Sequence, residues 1–241
     1  EKYGLCYTPT PAPAGGNVYP QDSNGEIDYI CYQSNTMTQE EWIDSYFFAK
    51  GIVIPHHYHG ASQMIATYLN KELGVPLVDY YMHLFEYSKN SNGILNKEYQ
   101  THINSVKRSL FEMETWGRPI PGGDDFHFQD NGATAAFLYE NIKAVHAEIL
   151  QLVKDKYNVD LTELADYNQH ILDRYQRDST VHVFDYNWPH WVETGVLIKQ
   201  KTEVTVSPKQ YKNLQDHARH IFWYGRKSKR CFLETTERVL G

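Results

Sequence analysis

Cysteine is scarce in this chain of 241 residues, and its three copies lie far apart. Cys6, Cys31 and Cys231 form no CxxC or CxxxCxxC motif, so the sequence contains no local zinc or iron–sulfur motif. Three scattered cysteines are typical of a protein in a reducing environment. We therefore expect a cytoplasmic location.

Other absences exclude further classes of protein. No apolar run approaches the roughly 20 residues that a membrane helix requires, and no signal peptide is present. The net charge of −7 argues against nucleic-acid binding, which needs basic patches. Phosphate-binding glycine loops and Ser-His-Asp signatures are missing too. Because the sequence begins at Glu1, we expect a shortened N-terminus or a piece of a longer protein.

Aromatic residues and histidine are, in contrast, abundant. The chain has 19 Tyr, 5 Trp and 12 His beside an apolar fraction of 41% and a charged fraction of 22%. This composition is typical of a globular protein with a real core. Amphipathic aromatic side chains commonly line pockets and interfaces, so surfaces of one of these two kinds are expected.

The stretch from Thr36 to Leu73 organises the chain. Thr38 and Glu41 form a capping box, which predicts a helix beginning after Thr38. Pro55 is expected to break or kink that helix, because it lacks an amide donor and clashes with the preceding turn. A second helix over roughly Ala61–Leu73 should end at Gly74.

The remaining pattern predicts a mainly α protein with a small β element near the C-terminus. Residues 1–35 are expected to form an extended arm with one strand at Glu26–Gln33, followed by a single helical domain at 36–241. Further helices are predicted from apolar residues at helical spacing: Leu77–Ser88, Asn96–Glu114, Ala133–Tyr157, Asp160–Arg177 and Leu214–Tyr224. Alternating β-formers predict three late strands: Thr180–Tyr186, Lys199–Ser207 and Lys229–Thr236.

Histidine and acidic residues provide the first candidate sites. His56, His57 and His59 lie at the expected helix break, where they are suited to a metal, to a polar ligand contact or to structural hydrogen bonds. The loop Gly123–Gly132 places Asp124, Asp125 and Asp130 beside His127. Such a loop is suited to a metal or a general base, or it is simply solvated. The metal candidates are His57, His59, Asp125 and His127.

Two aromatic segments are the next candidates. In Asp185–Trp191, Trp188 and Trp191 are suited to stacking on a planar ligand, with turn packing as the alternative. In Trp223–Arg226, Tyr224 stands beside Arg226, whose guanidinium can bind a phosphate or carboxylate. An exposed basic turn is the alternative there.

Taken in order, several short motifs resemble the C-terminal region of radical SAM proteins that carry an N-terminal cobalamin-binding domain. The motifs are Glu1–Gly4, Asn35–Thr38, Glu41-Trp42, His57–Gly60, Asp79–Tyr81, Trp116-Gly117, Phe184–Trp188 and Trp223–Ser228. The resemblance implies S-adenosylmethionine, an iron–sulfur cluster and cobalamin in upstream domains, which would be this chain's partners. It implies no catalytic residue in this region.

The main hypothesis is therefore a substrate-recognition or accessory domain that is not catalytic alone. Its ligand pocket is expected to be lined by His57, His59, Trp188, Trp191, Tyr224 and Arg226. One alternative is an independent metal-dependent enzyme that uses the His/Asp cluster of metal candidates. The other is a non-catalytic interaction protein, which an exposed tyrosine-rich patch without a pocket would favour.

Overall fold

Helices dominate the fold, and a three-stranded sheet forms near the C-terminus, which confirms the predicted fold class. The computed structural model describes residues 3–9, 29–112, 114, 116–120, 128–175, 178–225, 232–233 and 235–240, and for 222–225 only the backbone. No helix in these ranges is long and apolar enough to cross a membrane.

The helices are α1 (Gln39–Phe47), a π-helix (Phe48–Tyr58), α2 (Gln63–Leu73), α3 (Leu77–Asn90), α4 (Ile94–Phe111), α5 (Asp130–Glu140), α6 (Ile142–Tyr157), α7 (Thr162–Ile171), α8 (Trp188–Thr194) and α9 (Leu214–Gly225). The strands are β1 (Cys6–Pro9), β2 (Tyr29–Gln33), β3 (Thr180–Phe184), β4 (Thr202–Val206) and β5 (Thr235–Val239).

The first helix begins as predicted but passes through its proline. Thr38 Oγ1 accepts the Glu41 amide at 3.2 Å, and Glu41 Oε2 accepts the Thr38 amide at 2.7 Å. The helix then widens into the π-helix and continues past Pro55 to Tyr58. Of the break or kink predicted at Pro55, the break is wrong, because the wider π-turn relieves the clash between the proline ring and the preceding turn.

Two other predicted boundaries have clear local causes. Helix α2 ends at Gly74, whose φ of 68° is left-handed, as expected of a glycine stop. The single helix predicted over Ala133–Tyr157 is instead two helices separated at Asn141. The Asn141 side chain donates to the Phe137 carbonyl at 2.9 Å, and this local bond competes with continuous helix.

The N-terminal strands form a hairpin that is attached to α4. Strand β2 confirms the strand expected in Glu26–Gln33 from Tyr29 onward, while residues 26–28 lie outside the described ranges. It pairs antiparallel with β1. Thr8 Oγ1 donates to the Leu110 carbonyl at 2.9 Å, and the Tyr32 ring contacts Phe111 edge-on at 5.5 Å. The two described strands of the arm are thus held against α4 by a buried hydrogen bond and an aromatic contact.

One large hydrophobic core extends from Ile43 in α1 to Ile221 in α9. The C-terminal sheet has the antiparallel order β3-β4-β5, and its central strand buries Val204 and Val206. Strand β5 lies further along the chain than the predicted Lys229–Thr236, because its pairing with β4 runs from Thr235 to Val239. In β4 the residues of the inner face are buried and the others are partly buried. Strand β5 is exposed throughout.

Candidate functional site

A groove of about 620 Å³ lies between α2, α7, α8 and β5, a size that suits a small organic ligand. Its described lining residues are Gln63, Met64, Thr67 and Lys71 from α2, Tyr167 and Ile171 from α7, Pro189, Trp191, Val192 and Glu193 from α8, Phe232 and Leu233 from the segment before β5, and Thr235 and Glu237 from β5. Trp191 is therefore the predicted ligand residue that the structure places in a groove.

Helix and strand periodicity explain which side chains face the groove. Gln63, Thr67 and Lys71 are spaced by four residues, so they lie one above another on α2. In β5, alternation turns Thr235 and Glu237 toward the groove, and Arg238 therefore faces the opposite side of the sheet. All five residues of β5 are exposed, so its inner face forms an open wall of the groove as far as the described residues show.

Trp191 is held rigidly at the edge of the groove. The residue is 1% exposed, and its Nε1 donates to Glu72 Oε1 at 2.9 Å. The Lys71 ammonium lies 5.9 Å from the centre of the indole, within cation–π range. Trp188 packs behind it, edge-on at 5.9 Å, and donates to Glu163 Oε1 at 2.9 Å. The two tryptophans therefore have different roles, Trp191 as a groove wall and Trp188 as its support.

The floor of the groove contains a tyrosine whose hydroxyl has no hydrogen-bond partner in the described part of the chain. Tyr167 is only 3% exposed. Burial raises the pKa of its phenol, and the nearby charges of Glu237 and Glu193 raise it further. Neither glutamate forms an ion pair within 4.0 Å across the described residues. Both glutamates are exposed, and all three residues line the groove, so their oxygens are available to a ligand there.

The predicted histidines lie outside this groove. His57 is half-buried, and its Nδ1 is 2.9 Å from the Tyr81 hydroxyl. Burial lowers the pKa of His57. His59 is fully buried, and its carbonyl accepts the Tyr139 hydroxyl. Neither histidine lines the groove.

Their neighbour His56 belongs to a buried structural network. His56 Nδ1 is 3.1 Å from Ser62 Oγ, which also accepts the Tyr80 hydroxyl at 3.0 Å. His146 Nε2 donates to the Ala61 carbonyl at 2.7 Å. Burial lowers the pKa of His56 to about 3 and that of His146 to about 4. These neutral histidines hold the turn between the π-helix and α2.

The other predicted site residues fall where side chains are not described. Asp125, His127 and Arg226 lie outside the described residues, and Tyr224 is described by its backbone alone. Within the described ranges, no three His, Cys, Asp or Glu side chains are grouped as metal ligands. The metal hypothesis for His57, His59, Asp125 and His127 thus stays a prediction.

A buried charged cluster between α4 and α5 was not predicted. Its member Asp130 was expected in the loop Gly123–Gly132, but it is the first residue of α5 and is buried. Arg118 pairs with Glu98 and donates to Thr134 Oγ1 at 3.0 Å. Asp130 Oδ2 accepts the Tyr46 hydroxyl at 3.1 Å, and its Oδ1 lies 3.3 Å from Ser105 Oγ. Burial raises the pKa of both Glu98 and Asp130, whereas Arg118 opposes this increase. The signal in the sequence is a helical spacing of polar residues along α4, at Glu98, His102, Ser105 and Ser109.

No protein-family model and no curated protein matches this sequence. The groove is therefore described from the chemistry of its own residues.

Proposed function

We propose that this chain is the substrate-recognition part of a cobalamin-dependent radical SAM enzyme, and that the groove beside Trp191 holds a small organic substrate. The observation that carries the second part is the groove itself, which combines an anchored indole with a Tyr167 hydroxyl that has no hydrogen-bond partner among the described residues. Pockets of this size with a few polar groups on an apolar lining are typical small-molecule sites. The resemblance of the sequence motifs supports the first part.

In this proposal the radical chemistry belongs to upstream domains. Cys6 and Cys31 lie on neighbouring strands of the hairpin, and neither belongs to a group of metal-ligating side chains in the described ranges. These residues do not fit an iron–sulfur cluster, so we assign this chain no step that uses one. Its proposed contribution is to bind the substrate and fix its orientation, which lowers the entropic cost of the reaction.

Reading the encoding gene upstream of Glu1 tests the assignment to the family. We expect a cobalamin-binding domain and a CxxxCxxC motif in the same reading frame. A start codon directly before Glu1 would contradict the assignment. A stoichiometric metal in the purified chain that His57→Ala removes would favour the metal-dependent alternative instead.

Ligand-observed NMR with a library of small polar aromatic compounds tests the groove. Thr67→Trp should fill it, because Thr67 lines the groove from α2. Thr101→Trp is the matched control: both threonines donate to the carbonyl four residues earlier, at 2.8 and 2.9 Å, but Thr101 lies on the exposed face of α4. We expect binding to be lost in Thr67→Trp and kept in Thr101→Trp. Equal binding in both variants would exclude the groove.

A further inference from the structure

We infer that the groove takes an organic amine, whose ammonium group binds between Glu193 and Glu237 beside the Tyr167 hydroxyl. The inference rests on the proposed function of the groove as a substrate site, and it names the chemical class of that substrate. It is carried by the charges, the unpartnered hydroxyl and the apolar floor of the groove.

Two carboxylates line the groove from different elements. Glu193 comes from α8 and Glu237 from β5. The negative charge of each raises the pKa of the Tyr167 phenol, in addition to the larger effect of burial. Within the described chain no cation lies within 4.0 Å of either one. Arg238 is the adjacent cation in sequence, but strand alternation directs it to the other face of the sheet, where its partner in the register is Glu203. The acids thus face the groove without an ion-pair partner from the described residues.

The charge of the described lining selects against anions. Lys71 is its one cationic side chain, and that ammonium already lies over the Trp191 ring. An anionic ligand would meet two carboxylates, and like charges in contact strongly disfavour binding. An ammonium group, in contrast, offers up to three N–H donors. Glu193, Glu237 and the Tyr167 oxygen provide three acceptors for them.

The floor of the groove matches the hydrocarbon part of such a ligand. Met64, Ile171 and Leu233 are each at least nine-tenths buried, yet all three line the groove. Phe232 and the anchored Trp191 add aromatic surface. Contact with these side chains removes apolar ligand surface from water, which stabilises the complex. The site therefore fits a molecule with an apolar or aromatic body and a terminal amine.

Calorimetric titration of the purified chain with three matched probes tests the inference. 2-Phenylethylamine, 2-phenylethanol and phenylacetate have similar bodies, but they carry a cation, a neutral hydroxyl and an anion. We expect the amine to bind at least tenfold more tightly than the other two, on the order of what two charge-assisted contacts provide. Absence of amine binding at millimolar concentration, or tighter binding of phenylacetate, would overturn the inference.

Paired variants identify the acids responsible. Glu193→Gln/Glu237→Gln should weaken amine binding by about tenfold and leave binding of the alcohol unchanged. Glu40→Gln/Glu112→Gln removes the same charge from exposed positions outside the groove, and it should change amine binding by less than about twofold. Equal losses in both double variants would mean general attraction to an acidic protein and would contradict the inference.

The same experiment separates this inference from the proposed function. If the alcohol binds as tightly as the amine and Thr67→Trp abolishes both, the groove is a ligand site but its preference for amines is wrong. If Thr67→Trp and Thr101→Trp bind every probe equally, the groove function itself fails. Tyr167→Phe keeps the ring and removes the hydroxyl, so unchanged amine binding in that variant would exclude the hydroxyl as a contact.

Discussion

Two pairs of acidic residues differ sharply in how the fold treats them. Glu98 and Asp130 are buried in the cluster between α4 and α5, where Arg118, Tyr46 and Ser105 surround them. Glu193 and Glu237 face an open groove and have no ion pair in the described part of the chain. The first pair has its partners within the protein, so its role is structural. We propose that the second pair binds a ligand.

Mutations at the buried pair should also lower the stability of the protein more than mutations of the groove acids. Taking a carboxylate out of water is costly, and here burial raises the pKa of both acids. Arg118 lowers these pKa values again, so it compensates part of that cost. Removing Arg118 should therefore affect stability strongly, whereas removing the groove acids should not.

The largest expected effect is that of Arg118→Met. It leaves Glu98 buried without its cation, which costs about 3–5 kcal/mol in the free energy of unfolding. Arg108→Met is the matched control, because Arg108 pairs with Glu114 at 3.0 Å while both side chains are about half exposed. We expect a loss below about 1 kcal/mol there. Urea unfolding measures both, and equal losses would contradict a structural role for the cluster.

Acid should destabilise the protein through its buried histidines. His146 has a pKa of about 4 in the folded state against 6.5 for the free side chain. The unfolded chain therefore binds more protons between these values, and stability falls as the pH decreases through that window. Between pH 7 and pH 5 this histidine alone contributes a loss of about 2 kcal/mol.

His146→Gln isolates this contribution. Glutamine provides an Nε2 donor for the Ala61 carbonyl, which His146 contacts at 2.7 Å, but it does not titrate. The variant should lose less stability than the wild type when urea unfolding is repeated at pH 7 and pH 5. An unchanged dependence on pH would mean that His146 is not the titrating group.

A smaller effect is expected for Tyr46→Phe. The change removes the donor to Asp130 Oδ2 and keeps the aromatic ring, which packs on Trp42 at 5.3 Å and on Trp116 at 5.7 Å. Loss of one hydrogen bond to a buried carboxylate should cost about 1–3 kcal/mol. Tyr29→Phe, at a residue that is 61% exposed, should leave the unfolding midpoint unchanged. If Tyr46→Phe left the stability unchanged, the Tyr46 hydroxyl would not be needed to stabilise the buried Asp130.

The smallest effect on stability should come from Glu193→Gln/Glu237→Gln. Both side chains are exposed and have no ion pair to lose in the described chain, so we expect a change within about 0.5 kcal/mol. Thermal unfolding without added ligand measures it. A large loss of stability would mean that these acids, like the buried pair, have a structural role. The proposed difference between the two pairs would then be wrong.

Local signals in the sequence predicted local structure well. Thr38 with Glu41 and the glycine at 74 act within one helical turn, so the start of α1 and the end of α2 could be recognised directly. Pro55 was misjudged because the sequence does not reveal that the helix has already widened to a π-turn. Asn141 divides a predicted helix through a side-chain bond of the same local kind.

The candidate site is formed by long-range packing, so only part of it could be predicted from the sequence. Trp191 was predicted from its aromatic segment, but Lys71, Tyr167 and Glu237 come from three distant elements. Helical spacing identifies Tyr167 as a position on the apolar face of α7. It does not indicate that the Tyr167 hydroxyl lies beside an open groove next to β5. That arrangement depends on the register between β4 and β5, which residue-by-residue patterns do not specify.

The most direct test of this account is a ¹H–¹⁵N NMR titration of the full chain with 2-phenylethylamine. The account predicts saturable shifts of the backbone amides of α2, α8 and β5, around Lys71, Glu193 and Glu237, with those around Arg118 unchanged. Saturable shifts confined to the buried cluster around Arg118, or no saturable shift along the groove, would contradict it.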